Sequence, residues 1–121
     1  MSLLSFFGLG SKAQVITPPE IHSKQCAGEL LIIDVRQPNE WHQTGIPAGS
    51  HGITHGAPDF VTKVKTLAAN NPDCKIALSC LSGMRTKAAV KQLSDAGVTD
   101  LYIVQGGLLA WAKYKLPLDA G

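Results

Sequence analysis

The sequence predicts an α/β fold, an open parallel sheet with helices on both faces, and three observations carry that prediction. Leu30-Leu-Ile-Ile-Asp-Val35 is a continuous apolar, β-branched run, the pattern of a parallel strand covered on both sides. Short strand patterns alternate with helical ones along the 121 residues, which is the order of a βαβ chain. Glycine, proline and asparagine clusters punctuate nearly every change of pattern.

In chain order, Gln14-Val15-Ile16 reads as a short strand. Thr17-Pro18-Pro19-Glu20 then has the form of a capping box with proline at the first helical position, so a helix to about Ala27 is expected, stopped by Gly28. The Leu30–Val35 strand follows, then a short helix over Asn39–Gln43. Gly45-Ile-Pro-Ala-Gly-Ser50 reads as irregular connection leading to a weak strand at His51–Ile53. From Pro58 to Ala69, Phe60, Val64 and Leu67 fall at helical spacing, and Asn70-Asn71-Pro72-Asp73 ends that helix. A strand at 75–79 runs into Cys80. The next helix places Ala89, Leu93 and Ala96 on one face, with Gly97 at its C-terminal cap. Leu101–Val104 is the following strand, Gly106-Gly107 a turn, and Leu108–Lys115 a last helix ended by Pro117.

Length and composition bound what such a chain does. A chain of 121 residues with ordinary composition buries about two thirds of its unfolded surface, enough for a real core without metal or disulfides. Residues 14–121 are read as this domain and 1–13 as a lead-in. Within the lead-in, Met1–Gly10 is apolar but lacks the basic residues of a signal peptide and is too short to span a bilayer; it reads as a frayed or surface-packed segment. The net charge of +2, with no Lys/Arg-rich run, points away from nucleic acid and anionic membranes as partners.

Three cysteines leave at least one unpaired within the chain. Cys74 and Cys80 flank one strand, so six residues at about 3.3 Å each put them roughly 20 Å apart, beyond disulfide reach. No CxxC spacing exists to suggest zinc or dithiol redox chemistry. Free thiols suit a reducing compartment, so a cytoplasmic setting is expected.

Chemistry concentrates at Cys80-Leu-Ser-Gly-Met-Arg85. A strand ends at the cysteine, a short loop with a central glycine follows, and a helix begins near the arginine. The first amides of a helix lack intrahelical partners and the macrodipole puts partial positive charge there, so an anion such as a thiolate is stabilised. Arg85 and Lys87 add to that field. Gly83 permits the left-handed turn that lets successive amides face one sulfur. The bland alternative is a buried core cysteine at a strand end. The flanking Ser82-Gly83-Met84-Arg85 favours a reactive one. In open α/β sheets, sites form beyond the carboxyl ends of strands, where Cys80 is placed.

Other candidates are weighed the same way. Asp34 ends a buried strand and is expected in a supporting role, holding Arg85 or the loop amides, with Arg36 nearby. His51 and His55 have helical ligand spacing, but Gly52 and Gly56 argue for loop rather than a metal site. Trp41, Trp111 and Tyr102 read as packing residues.

Three segments together make the chain resemble a single-domain rhodanese-like sulfurtransferase: Ile33-Asp-Val-Arg36 with Glu40-Trp41 and Gly45-Ile-Pro47; Cys80-Leu-Ser-Gly-Met-Arg85; and Val104-Gln-Gly-Gly107 with Trp111 and Pro117. They span residues 15–117 in the family's order. The resemblance implies that Cys80 takes a sulfane sulfur from a small anionic donor such as thiosulfate, becomes a persulfide, and passes the sulfur to a thiol or cyanide, or to a sulfur-carrier protein. It also implies that the amides of Leu81, Ser82, Gly83, Met84 and Arg85 bind the anion, and that no cofactor or metal takes part.

Two positions depart from the family pattern. Leu81 stands where arginine often follows the cysteine, so weak thiosulfate binding is expected. Gly45 stands where histidine usually precedes Ile-Pro, and Ala48-Gly-Ser-His51-Gly is unusual, which alters the entrance. Rhodanese-related phosphatases and arsenate reductases carry one more residue between cysteine and arginine; the four residues here suit sulfur instead. A sulfur-relay or regulatory binding module with low turnover is the other alternative.

Overall fold

The structure, a computed structural model, describes residues 13–121. The apolar Met1–Gly10 stretch, read above as part of the lead-in, lies outside the described residues. The elements in order are β1 (Ala13–Ile16), α1 (Pro18–Cys26), β2 (Leu30–Asp34), α2 (Pro38–Thr44), β3 (Ile46–Pro47), β4 (His51–Gly52), α3 (Phe60–Asn70), β5 (Lys75–Ser79), α4 (Thr86–Asp95), β6 (Leu101–Val104), α5 (Gly107–Lys113) and β7 (Leu118–Asp119). Five strands form a parallel sheet in the order β1-β6-β5-β2-β4.

The two-residue period of the central strands divides the interior into two cores. Ile33, Ile76, Leu78, Leu101 and Ile103 pack with Phe60 and Val64 of α3 and Ala89, Val90 and Leu93 of α4. On the other face, Leu30, Ile32, Ala77 and Val104 pack with Ile21 of α1 and Trp111 of α5. Helices therefore cover both faces, as the unbroken apolar run of β2 requires. Trp111 is fully buried and its indole N–H donates to the Pro117 carbonyl at 2.7 Å, closing the C-terminal tail onto α5. Tyr102 is half-buried against the second core, with Lys24 Nζ 5.8 Å from its ring centre.

Several boundaries differ from the sequence reading. Thr17 is the N-cap of α1 but its side chain makes no capping bond. Pro18 and Pro19 remove two amides from the first turn, including one of the two that an N-cap side chain normally reaches. A Glu-to-backbone cap forms at α2 instead, where the Gln37 amide donates to Glu40 Oε1 at 3.1 Å. The segment read as irregular after Gly45 contains β3, which pairs antiparallel with β7 from the chain's end. Gly45 sits at φ +79, and a Cβ there would lie 2.6 Å from the Asp119 carbonyl oxygen. The ribbon requires glycine at this position. The last helix starts one residue earlier than expected, at Gly107, and stops at Lys113. Among the described residues, no helix is long and apolar enough to cross a membrane.

Candidate active site

β5 delivers Cys80 to the carboxyl end of a central strand, flanked in the sheet by β2 and β6. The loop then turns back at Gly83, whose φ is +98, and enters α4 with Arg85 as its N-cap. The Gly83 amide donates to Cys80 Sγ at 2.9 Å. Thr86, the buried first residue of α4, donates its hydroxyl to the Gly83 carbonyl at 2.9 Å, which holds the turn in place.

A second helix start braces the loop from behind. At the head of α5, the amides of Leu108 and Leu109 donate to the carbonyls of Cys80 at 2.8 Å and Leu81 at 3.0 Å. Gly107 makes that approach possible: a Cβ there would lie 2.7 Å from the Leu81 carbonyl oxygen and closer still to that of Cys80. The Gly106-Gly107 pair, read from sequence as a turn, is thus the seat of the Cys80 loop.

Cys80 is 1% exposed and belongs to the first core. The two readings of this residue, core cysteine and loop-bound thiol, describe the same atom: its carbon skeleton packs with the sheet while its sulfur takes an amide. Leu81 and Gly83 are half-buried; Ser82, Met84 and Arg85 are exposed. The three cysteines are free.

Asp34 does not hold Arg85 or the loop amides. Its carboxylate is occupied by Arg36, through Nε to Oδ1 at 3.0 Å and Nη2 to Oδ2 at 3.0 Å, with the Arg36 amide also on Oδ1 at 3.0 Å. Trp41 Nε1 adds a further bond to Oδ1 at 3.1 Å. Both charged groups are fully buried, and Arg36 reaches on to the Gly45 carbonyl at 2.9 Å and Thr44 Oγ1 at 3.0 Å. A carboxylate with its lone pairs so filled has nothing left for the loop. The pair instead fastens the segment after β2 to the end of α2.

The partner of Arg85 is Glu40 of α2, a bidentate pair with both N–O distances at 2.7 Å. The hydrogen bonds from Arg85 hold the Glu40 carboxyl at about 2, well below its usual 4.5, and Glu40 in turn raises Arg85. The sequence contained a signal for Glu40: an acid three residues after a helix start. Its distant arginine was not legible. His55 packs edge-on against Phe60, and among the described residues no three His, Cys, Asp or Glu side chains cluster as a metal site would need.

This arrangement of strand, cysteine, amide-capped loop and helix coincides with a known domain: the rhodanese-like domain matches residues 17–114. The chain belongs to the rhodanese-like domain family. A "Probable adenylyltransferase/sulfurtransferase MoeZ" of Mycobacterium tuberculosis is 32% identical over 108 residues, covering 88% of this chain and 26% of that protein, so the chain spans about a quarter of this relative's length. A "Thiosulfate sulfurtransferase GlpE" of Stutzerimonas stutzeri is 28% identical over 104 residues, 86% of this chain and 88% of the relative. Among solved structures, a rhodanese-related protein from Thermoplasma volcanium superimposes with a TM-score of 0.67 at 26% identity, over 88% of this chain and 98% of that one. This rhodanese-like chain therefore shares its domain with relatives that are named sulfurtransferases.

Proposed function

We propose that this chain is a sulfurtransferase that moves a sulfane sulfur from a donor such as thiosulfate to a thiol or cyanide through a persulfide on Cys80. The observation that carries the reading is the Gly83 amide on Cys80 Sγ at 2.9 Å, at the junction of β5 with the start of α4. An amide aimed at the sulfur stabilises negative charge there both before and after transfer. In the first displacement the Cys80 thiolate attacks the sulfane sulfur of thiosulfate, a new S–S bond forms, the donor's S–S bond breaks, and sulfite leaves with the electron pair. In the second, the acceptor attacks the outer sulfur of the persulfide and the Cys80 thiolate is regenerated. This is covalent catalysis in two steps, and it predicts ping-pong kinetics.

Arg85, held by Glu40, serves to position the loop, and the buried Asp34–Arg36 pair keeps the neighbouring entrance segment in place. The roles follow the loop's backbone more than its side chains. A second reading, a sulfur relay to a carrier protein with low turnover on small donors, is favoured by Leu81 at the position beside the cysteine.

Intact mass spectrometry after incubation with thiosulfate tests the proposal. The expected result is one added sulfur that is lost on adding cyanide, absent in Cys80→Ser and retained in Cys26→Ser and Cys74→Ser. Loading without release to cyanide selects the relay. No added sulfur from any sulfane donor refutes both.

A further inference from the structure

α2 reaches the Cys80 loop through Glu40, yet the helix contributes no fully buried side chain. A short helix takes its place from tertiary contacts, and without a buried face those contacts are few. The C-terminal end of α2 is tied by Arg36, whose Nη1 and Nη2 donate to Thr44 Oγ1 and to the Gly45 carbonyl. Its middle is tied by the half-buried Trp41.

The indole ring of Trp41 lies on Gly52 of β4. A Cβ at residue 52 would stand 2.6 Å from Cη2, 2.7 Å from Cζ2 and 2.8 Å from Cζ3 of that ring, so the ring keeps this seat only over a glycine. The indole N–H donates to Asp34 Oδ1 at 3.1 Å, and that carboxylate is itself fixed by Arg36. One contact is on β4 and the other is at the end of β2, two strands paired in the sheet. Two fixed points define both the place and the tilt of a rigid aromatic side chain.

Glu40, the residue before Trp41, carries the two 2.7 Å bonds to Arg85. Arg85 closes the Cys80 loop as the N-cap of α4. A bidentate carboxylate–guanidinium pair keeps both of its parallel bonds only in one geometry, so a shift of α2 is passed to Arg85. Two residues before Arg85, the Gly83 amide has to stay on Cys80 Sγ.

Resting on the sulfurtransferase reading, we propose that Trp41 is a positioning residue for sulfur transfer, which sets the Cys80 loop through Glu40 and Arg85 by its seat on Gly52 and Asp34. Packing alone would make Trp41 a source of stability; the seat makes it a source of rate. An amide aimed at charge on sulfur loses its effect within a displacement of about 1 Å, so the loss falls on the maximal rate rather than on donor binding.

The test follows one added sulfur from thiosulfate by intact mass spectrometry and takes the maximal loading rate and the half-saturating thiosulfate concentration. Gly52→Ala, Trp41→Phe, Glu40→Gln and the double variant Glu40→Gln/Gly52→Ala are compared at a temperature where circular dichroism shows each folded, with Cys80→Ser as the blank. Gly52→Ala pushes the ring off its seat and should lower the maximal rate about tenfold, Glu40→Gln about tenfold and Trp41→Phe about threefold, with half-saturation kept within about twofold. In the double variant, Gly52→Ala should add no more than about twofold to the loss from Glu40→Gln, because its effect runs through Glu40. Trp41→Phe in the two backgrounds repeats the comparison by an independent change. The smaller ring also clears the space over residue 52, so Gly52→Ala/Trp41→Phe should load as fast as Trp41→Phe alone. Unchanged loading in Gly52→Ala and Trp41→Phe, or fully multiplied losses in the double variant, overturns this inference and leaves the sulfurtransferase reading standing. No added sulfur on the unaltered chain overturns that reading and this inference with it.

Discussion

Replacing Gly107 by alanine should unseat the Cys80 loop, and the expected cost is set by the geometry. Gly107 has φ +62, a conformation that costs a residue with a Cβ about 1–2 kcal/mol. The new Cβ would also press on the carbonyl oxygens of Cys80 and Leu81, the latter at 2.7 Å. Relieving that contact moves α5 away and weakens the Leu108 and Leu109 amide bonds to those carbonyls, each worth about 1 kcal/mol. The sum is about 3–4 kcal/mol, or a fall in Tm of roughly 12–16 °C for a domain of this size. Gly97→Ala is the matched control, because Gly97 has φ +92 and no atom within 4 Å of its would-be Cβ. That variant should lose only the backbone term, about 1–2 kcal/mol. Thermal unfolding followed by circular dichroism reads both, and sulfur loading at a temperature where each variant is folded reads the loop. Equal losses of Tm for the two variants, with loading unchanged in Gly107→Ala, would show that the carbonyls of Cys80 and Leu81 are not held by α5.

The Glu40–Arg85 pair makes a pH prediction. Folding lowers the Glu40 carboxyl from 4.5 to about 2, so its contribution to stability is fully present above about pH 4.5 and is lost as pH falls toward 2. Glu40→Gln should flatten the stability profile in that window, by less than about 1 kcal/mol because Arg85 is 42% exposed and screened. Urea titrations at several pH values check it; identical slopes in both proteins refute the pairing. At the buried pair, Asp34→Ala leaves Arg36 without its counter-charge and should cost about 3–5 kcal/mol by urea unfolding. The double variant Asp34→Ala/Arg36→Met should lose less than Asp34→Ala alone, and a purely additive result would refute the view that the stranded charge dominates.

The strand-to-cysteine junction was legible because each of its signals is local: an apolar run, a cysteine, a glycine and a helix start within a dozen residues. The carboxylates were harder. Asp34 sits at a position that faces the site in a sequence reading, yet Arg36, two residues on, is the nearest cation and takes both carboxylate oxygens. Once Asp34 was filled, Arg85 needed another acid, and Glu40 on α2 supplies it across a separation that no periodicity reports. The same limit hid the β3–β7 ribbon. Two residues per strand carry no alternation to read, and Gly45 looked like an altered entrance rather than the place where Asp119 passes close by.

The bonds that shape the Cys80 loop involve the Gly83 amide, the Gly83, Cys80 and Leu81 carbonyls, the Leu108 and Leu109 amides and the Thr86 hydroxyl. The side chains of Leu81, Ser82 and Met84 take no part in them. The anchorage is therefore written in the backbone of this short segment and not in its exposed side chains. Exchanging the exposed side chains at 82 and 84 would leave the anchorage of the sulfur as it is, so the outer surface of the loop is free to vary by single steps that need no repair elsewhere.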